Sequence, residues 1–458
     1  MEISDNTIYV SRSPHLLTVY AMPRYGASLV LYLQGYVTFF IYTTVFKLSG
    51  TLTGICSFFG YLAIAAAQFS MGTISDRTNT RWGRRRPYVL FGTPFLLLSF
   101  FMLFTPPLFL GSHPDTIPLF VWMMVWNSGF EVFYGLVTTP YQAMLPEITE
   151  VTERPHASQL QNIWGMLGTA TGLVLTFIGI TSLSSQIKDT GQLSVQFILI
   201  FVLCAIVSAF FFLFFCWKMP RELPKYGSQE KVATNLKQSI QNRNFLRITI
   251  FHGIASLPPT SAMALGFVQY VLHFSTITLV VAAVVLLFTI LGFLIIWRKL
   301  IERRGKKYTL QIILLVGIIV LPFSLIGIAQ DMNPTIYSII GIIFVVLVAV
   351  NIAGWSMFPS ILYADLTEDD ARRTDNFKAG VYTGFPSIPL NIFQGISIII
   401  TGLLTDSLPL LANTGVSWYY VLWGPLSAIY LMIAITILRK WIVLDFSWEK
   451  NAKLDTEQ

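Results

Sequence analysis

Glu131 is the one carboxylate that lies deep within any of the long apolar segments of this chain. A buried charge without a partner is costly, so the protonated acid is expected at that depth. A neutral acid that ionises when water reaches it can carry a proton, and His252 is the second titratable residue at a similar depth. Either residue could therefore couple a proton to another event. The alternative is that Glu131 stays protonated and only bonds a neighbouring helix.

Polar residues at helical spacing accompany this carboxylate. Asn127, Glu131, Tyr134 and Thr138 are four, three and four residues apart, which places them on one face of a helix. Similar faces elsewhere predict a cavity lined by Gln34, Thr38, Trp126, Asn127, Tyr134, Trp164, Asn351, Trp355, Asn391 and Gln394. Amides and hydroxyls bond sugar hydroxyls and flat rings cover a pyranose, so this set favours a neutral polyhydroxylated ligand. Helix packing is the alternative role for each residue.

Twelve apolar runs long enough to cross a membrane must position these residues. The 458 residues are 54% hydrophobic and only 12% charged, which is typical of a membrane protein. The first run follows a polar stretch without a small-residue cleavage site, so it is expected to be a retained helix. Gly165, Gly168 and Gly172 recur in the fifth run and favour close packing there. The runs cover residues 26–46, 51–73, 88–110, 117–141, 160–183, 194–217, 245–274, 275–298, 309–329, 335–358, 379–403 and 415–439.

Basic residues cluster at one side of these runs. All of the 30 Lys and Arg residues except Lys47 and Lys188 fall in the tails and even-numbered loops, which predicts that both termini are cytoplasmic. The net charge of +7 follows from this asymmetry and does not indicate nucleic-acid binding. No Lys or Arg lies deep in a predicted run, so an anionic solute would lack a counter-ion.

The positions of the cysteines and the lack of catalytic motifs argue against a disulfide-rich protein, a metalloprotein and an enzyme. Cys56, Cys204 and Cys216 all fall inside predicted runs, so neither a disulfide framework nor a metal site is expected. The chain has no phosphate-binding loop, no zinc-protease helix motif and no nucleophile elbow. We therefore expect no enzymatic activity and no cofactor. A sensor of the same architecture is an alternative, although the short C-terminal tail offers no soluble domain.

Two loops are echoed in the second half of the sequence. The stretch from Leu145 to Arg154 matches the stretch from Tyr363 to Arg372 at an offset of 218. The basic loop after the second run, WGRRR at 82–86, resembles the loop after the eighth run, RGKK at 304–307. Such echoes indicate a parallel duplication, with a six-helix bundle at 1–217, a cytoplasmic linker at 218–244 and a second bundle at 245–458. Two such bundles with a solute between them are the plan of the major facilitator superfamily. The predicted fold is thus an all-α membrane protein of twelve transmembrane helices.

The loop after the second run sharpens this prediction. Residues 72–88 read GTISDRTNTRWGRRRPY, and Pro140-Tyr141 precedes LPEIT at 145–149. These motifs resemble those of the glycoside-pentoside-hexuronide:cation symporters, a family that includes melibiose permease, and of the related sucrose transporters. The resemblance implies alternating-access transport of a sugar or glycoside. It also implies a cytoplasmic latch between the halves, carried here by Gly72, Asp76, Arg77, Arg81, Gly83 and Arg84.

The glycine of this loop, Gly72, is expected to let two helices approach closely. The alternative for the arginines is that they only set the topology and bind anionic lipid. As partners we expect a small-molecule substrate, protons and membrane lipids, with the chain a monomer in the cell membrane.

One departure from the family concerns the coupling ion. The sodium-coupled members carry two carboxylates four residues apart in the second helix and one in the fourth, whereas this chain has Ile64, Gln68 and Thr138 at those positions. A dehydrated sodium ion needs several oxygen ligands, so this chain is expected to couple to protons or to no ion. A lipid or amphiphilic-drug transporter and a uniporter remain the alternatives.

Overall fold

The chain folds into two compact helical units, Met1–Ser228 and Gln229–Gln458. The division falls inside the predicted linker at 218–244, of which residues 220–241 lie outside the described part of the chain. The predicted limits of the two bundles stay predictions. This computed structural model describes residues 14–78, 80–145, 154–176, 187, 192–219, 242–258, 262–263, 266–328, 333–374, 387–410 and 417–444.

Eight α-helices make up the described part of the first unit. They are α1 (Pro14–Ala21), α2 (Pro23–Phe40), α3 (Gly50–Arg77), α4 (Arg86–Phe104), α5 (Pro107–Leu110), α6 (Thr116–Ala143), α7 (Arg154–Val174) and α8 (Val195–Lys218). α2 packs against α7 and α8, and α6 packs between α3 and α4. Glu131 is carried by α6.

Six α-helices make up the described part of the second unit. They are α9 (Arg243–Ala255), α10 (Thr276–Arg304), α11 (Lys306–Val320), α12 (Pro334–Thr374), α13 (Ser387–Ser407) and α14 (Tyr419–Trp441). α14 packs against α9 and α11, and α10 packs against α12. α11 continues as a 3₁₀ segment, Leu321–Ile328, because Pro322 has no N–H for the α-helical bonding pattern.

Nine helices within the described residues are long and apolar enough to cross a membrane. α6, α7 and α9 fall on the fourth, fifth and seventh predicted runs. The apolar helical range that contains the first predicted run starts at His15, and within it α2 begins at Pro23, three residues before the predicted start at 26. The nine are His15–Val45, Gly50–Gly72, Arg86–Phe104, Val195–Lys218, Ile277–Arg304, Lys306–Ile328, Thr335–Tyr363, Ser387–Ser407 and Tyr419–Trp441.

One turn is built in the same way in both units. A π-helical turn at Ile41–Val45 precedes Lys47, whose φ is 61°, and the N-cap Ser49 of α3. The same order recurs 226 residues further on, with a π-helical turn at Phe267–Val271, then His273 (φ 50°) and the N-cap Ser275 of α10. Left-handed backbone is uncommon for residues other than glycine. Its repetition at matching places supports the internal duplication.

Glycines set the distance between α2 and α7. A Cβ added at Gly168 would lie 2.2 Å from the carbonyl oxygen of Tyr25, and one at Gly172 would lie 2.8 Å from the ring of Tyr32. No larger residue fits these positions without moving a helix. The predicted close packing of this glycine stripe is confirmed.

Candidate functional site

A hydrogen-bonded polar cluster joins α2, α3 and α6, and we define it as Gln34, Asn127 and Glu131. Gln34 Nε2 donates to Asn127 Oδ1 at 3.0 Å, and Asn127 Nδ2 donates to the carbonyl oxygen of Cys56 at 3.4 Å. Gln34 also lies within hydrogen-bonding range of the Glu131 carboxyl group. Three of the predicted residues are thus brought together in one unit.

Gly60 of α3 makes room for the polar cluster. A Cβ at this position would lie 2.4 Å from Asn127 Nδ2 and 3.3 Å from Glu131 Cγ. The absence of a side chain lets α3 approach the face of α6 that carries the polar residues. Gly60 could not be predicted to lie at this cluster, because a glycine inside an apolar run carries no signal of which helix it faces.

Glu131 is buried among uncharged groups. Its side chain is 5% exposed, and its Oε2 atom has no hydrogen-bond partner among the described residues. The ring of Tyr61 and that of Tyr134 lie within electrostatic range of the carboxyl group. A buried oxygen without a partner can exchange a proton with water or with a ligand that enters.

Arg24 is a second charged group inside the first unit. It lies in α2 near the start of the apolar helical range His15–Val45, and it is half-buried. Because it precedes the predicted run at 26–46, the expectation that no Lys or Arg lies deep in a predicted run stays a prediction. Arg24 and Glu131 both lie within electrostatic range of Tyr134.

Trp126, Trp164 and Thr38 are further predicted residues of the first unit. Trp126 lies with its ring centroid 5.7 Å from that of Trp122, and Trp164 lies 5.6 Å from Phe211 and 6.4 Å from Tyr25. Thr38 is buried, and its hydroxyl has no partner within the described part of the chain. Both tryptophans keep part of their surface exposed.

His252 forms the centre of a separate group in the second unit. Its Nδ1 atom lies 2.9 Å from the hydroxyl of Tyr363, and its ring centroid lies 5.6 Å from that of Trp355. The imidazole is 5% exposed. The partner hydroxyl comes from α12, which is 111 residues away along the chain and could not be inferred from spacing.

The remaining candidates of the second unit differ in their surroundings. Asn351 Nδ2 donates to the carbonyl oxygen of Ile313 at 2.8 Å, so this amide joins α12 to α11. Asn391 is buried at 8% exposure, and Gln394 is half-buried on the same helix.

The loop between α3 and α4 is described only in part. The side chains of Asp76 and Arg77 lie outside the described residues, so the predicted latch contacts stay a prediction. Gly83 has φ 106°, a value that favours glycine, and closes a turn in which the hydroxyl of Thr80 donates to its carbonyl oxygen. Arg81 lies over the ring of Trp82 at 4.8 Å, and Arg84 is half-buried.

Gly72 has no close neighbour among the described residues. An added Cβ at this position would meet no described atom within 4 Å. The expected close approach of two helices at this glycine stays a prediction.

The positions that hold carboxylates in sodium-coupled relatives have other uses here. Ile64 is a buried hydrophobic residue at 7% exposure, and the hydroxyl of Thr138 donates to the carbonyl oxygen of Tyr134 in its own helix at 2.7 Å. Gln68 lies beside Gly135 of α6. Within the described residues, no group of three or more His, Cys, Asp or Glu side chains could hold a metal ion.

The fold and its polar interior define a class of protein. A solved D-xylose-proton symporter superposes with a TM-score of 0.65 over 94% of this chain and 98% of that chain, at 14% identity. The architecture is the major facilitator fold.

The family follows from the sequence match. The chain matches the family described as MFS/sugar transport protein over residues 19–446, and it belongs to that family, within the glycoside-pentoside-hexuronide:cation symporters. It is 24% identical over 408 residues to the isoprimeverose transporter of Lactiplantibacillus pentosus, covering 86% of this chain and 80% of that protein. It is 28% identical over 260 residues to the glucuronide carrier protein homolog of Escherichia coli (strain K12), covering 55% and 54%. The protein is thus a multi-pass secondary transporter of a small solute.

Proposed function

We propose that this protein transports a sugar or glycoside together with a proton, and that Glu131 carries the proton. The observation that supports this most directly is the buried Glu131 carboxyl group, whose Oε2 atom has no partner among the described residues. A membrane-embedded carboxyl group without a counter-ion is a usual proton relay in transporters. Relatives named for isoprimeverose and glucuronide transport support the class of solute.

The amide pair of the polar cluster suits a polyhydroxylated solute. Gln34 and Asn127 use one mutual hydrogen bond to fix their orientation, which leaves further amide groups to donate to and accept from hydroxyls. Because Gln34 also faces Glu131, a solute that bonds this amide would alter the surroundings of the carboxyl group. The cluster can therefore link solute binding to the protonation of Glu131.

His252 is the second candidate for the proton. It is paired with the Tyr363 hydroxyl, whereas Glu131 keeps one oxygen without a described partner. A group that already has a hydrogen-bond partner must break that bond or change its tautomer to move a proton. This difference favours Glu131 as the carrier and His252 as a positioning residue.

The orientation and the latch complete the proposal. Both termini lie in the cytoplasm, in agreement with the distribution of Lys and Arg. Asp76 and Arg77 hold the cytoplasmic ends of the two halves together in the outward-open state, as the resemblance of the loop at 72–88 implies. The chain acts as a monomer surrounded by membrane lipids.

Uptake into proteoliposomes tests the proposed function. The purified protein is offered labelled neutral glycosides, acidic glycosides and lysolipids, with an imposed pH gradient, an imposed sodium gradient or none. We expect uphill accumulation of at least one glycoside with the pH gradient only. Accumulation of lysolipids without uptake of any glycoside would contradict the proposal and favour the lipid-transport alternative.

A further inference from the structure

A groove of about 400 Å³ lies where the start of α4 meets the end of α8. These two helices of the first unit pack against each other. None of the residues that line the groove belongs to the polar cluster or to the predicted latch, so the proposed transport cycle does not use it. The lining residues are Trp82, Arg86, Leu90, Leu213, Cys216 and Trp217.

The groove lies at the membrane boundary of both helices. α4 begins at Arg86 and α8 ends at Lys218, and each helix is long and apolar enough to cross a membrane. The two ends are tied together, because Arg86 Nη2 donates to the carbonyl oxygen of Cys216 near the end of α8. Tryptophan and basic residues concentrate at the level of the phospholipid headgroups. The groove is therefore placed at that level.

Two further cations lie at the rim of the groove. Lys218 Nζ lies 4.0 Å from the centroid of the Trp217 ring, and the guanidinium of Arg81 lies 4.8 Å from that of Trp82. Both cations are exposed, and neither forms an ion pair with a described residue. The described residues that line the groove include no acid. The groove is thus positively charged.

An apolar stripe leads from the groove along α8. Its members are exposed and recur at alternating spacings of four and three residues, which places them on one face of the helix. At about 1.5 Å per residue the stripe is about 27 Å long, more than the half of a roughly 30 Å hydrocarbon core that one leaflet provides. The stripe consists of Leu199, Leu203, Ile206, Phe210, Leu213 and Trp217.

We propose that this groove binds an anionic phospholipid, with its phosphate at Arg86 and Lys218 and its acyl chains along the stripe of α8. An ammonium and a guanidinium both form charge-assisted hydrogen bonds with phosphate oxygens. A soluble phosphate would gain these bonds alone, whereas a lipid also covers the exposed apolar surface of Leu213 and Trp217. The bound lipid would join the end of α8 to the start of α4.

The charge of the groove selects the class of lipid. A zwitterionic headgroup brings a cation of its own next to Arg86 and Lys218, whereas an anionic headgroup does not. Basic residues near a membrane attract anionic lipids in general, without a defined place. The groove differs from this general attraction because its cations, its rings and its apolar stripe meet at one point.

The test counts lipids bound to the purified protein by native mass spectrometry. Delipidated protein in detergent is titrated with phosphatidylglycerol or with phosphatidylcholine of the same acyl chains. We expect the parent to bind one phosphatidylglycerol more tightly than any phosphatidylcholine. Lys218→Gln should weaken this binding about fivefold, the effect of one cation near an anionic headgroup, and leave phosphatidylcholine unaffected. Lys218→Arg should retain the preference, because it retains the charge.

A matched substitution distinguishes the groove from surface charge. Lys440 is exposed in the last turn of α14, next to the exposed ring of Trp441. Lys440→Gln therefore removes the same charge beside the same kind of ring in the second unit, and it should leave the tightest phosphatidylglycerol in place. Equal weakening by Lys218→Gln and Lys440→Gln would overturn the proposal.

Two further results would also overturn it. The first is that the parent binds phosphatidylglycerol no more tightly than phosphatidylcholine, or binds neither. The second is that inorganic phosphate displaces the bound phosphatidylglycerol at an equal concentration, since the groove would then be a site for a soluble anion. Transport enters none of these measurements, so the result does not depend on the proposed function.

Discussion

Glu131 is surrounded by groups that form hydrogen bonds but carry no charge. Gln34 and Asn127 are bonded to each other at 3.0 Å, and one carboxyl oxygen of Glu131 has no described partner. Such surroundings stabilise a protonated acid over a carboxylate, because no cation among the described residues pairs with it. A glutamine has nearly the shape of the protonated acid but cannot release a proton. This makes the amide the informative replacement.

We expect Glu131→Gln to abolish accumulation driven by a pH gradient and to spare downhill exchange of the same solute. The amide preserves the hydrogen bonding of the polar cluster, so solute affinity should change by less than about threefold. Asp115→Asn is the matched control, because Asp115 is an exposed carboxylate just before the same helix. Uphill accumulation by Glu131→Gln at the parental level would assign Glu131 a structural role.

The sequence predicted some of these residues but not their partners. Glu131 could be found because a lone carboxylate in an apolar run is conspicuous in a sequence. The predicted first run starts at residue 26 and therefore leaves out Arg24, which α2 includes because that helix starts at Pro23. The bond between His252 and Tyr363 joins residues 111 positions apart, and one sequence contains no signal for such a pairing.

Helix spacing in the first unit depends on single glycines. The backbone of α2 lies against Gly168, and the polar cluster lies against Gly60. A backbone atom cannot move aside as the end of a flexible side chain can, so contact at Gly168 is the less tolerant of the two. The position of α2, which carries both Arg24 and Gln34, depends on this contact.

Gly168→Ala should destabilise the protein, although alanine favours helix formation by up to about 1 kcal/mol over glycine. The new Cβ would lie 2.2 Å from the Tyr25 carbonyl oxygen, and forced separation of packed elements costs about 1–3 kcal/mol. Gly292→Ala in α10 is the control, since nothing lies within 4 Å there and the helix preference alone should act. Thermal unfolding in detergent measures both. Equal midpoints for the two variants would contradict the close approach.

The extent of each helix was easier to predict than its interruptions. α3 and α6 begin within one residue of the predicted runs at 51 and 117. The run at 309–329 was predicted as one helix, but it becomes a 3₁₀ segment at Leu321, just before Pro322. The run at 245–274 ends its first α-helix at Ala255, ahead of Pro258. Hydropathy averages over such breaks, because the residues on either side are equally apolar.

The whole molecule combines the major facilitator fold with a departure at the positions that hold carboxylates in the sodium-coupled relatives. The family match covers residues 19–446, yet the carboxylate positions of the sodium-coupled relatives are filled by Ile64, Gln68 and Thr138. Ile64 is buried and offers no oxygen, and the Thr138 hydroxyl is bonded within its own helix. The chain therefore keeps the overall plan of a cation symporter while it lacks these ligands for sodium.

External sodium should not stimulate uptake at fixed pH. The comparison is between sodium and choline salts at equal ionic strength, with the initial rate and the apparent KM for the transported glycoside as readouts. Both values should agree within error between the two salts, because the positions that supply the relatives' carboxylates supply none here. A clear sodium-dependent drop in KM would mean that other oxygens in the chain build a sodium site.

On the proposed coupling of one proton at Glu131 to each solute, the charge of the solute determines how the membrane voltage acts on transport. An acidic glycoside with one negative charge that moves with one proton carries no net charge, so a voltage does no work on it. A neutral glycoside with one proton moves one elementary charge, which is worth about 2.3 kcal/mol for every 100 mV. A potassium diffusion potential, negative inside and imposed with valinomycin at equal pH, should therefore drive accumulation of a neutral glycoside but not of one with a single negative charge. Voltage-driven accumulation of such an acidic glycoside would require more than one proton for each solute. The transporter would in that case draw on both parts of the proton-motive force, and not on the pH difference alone.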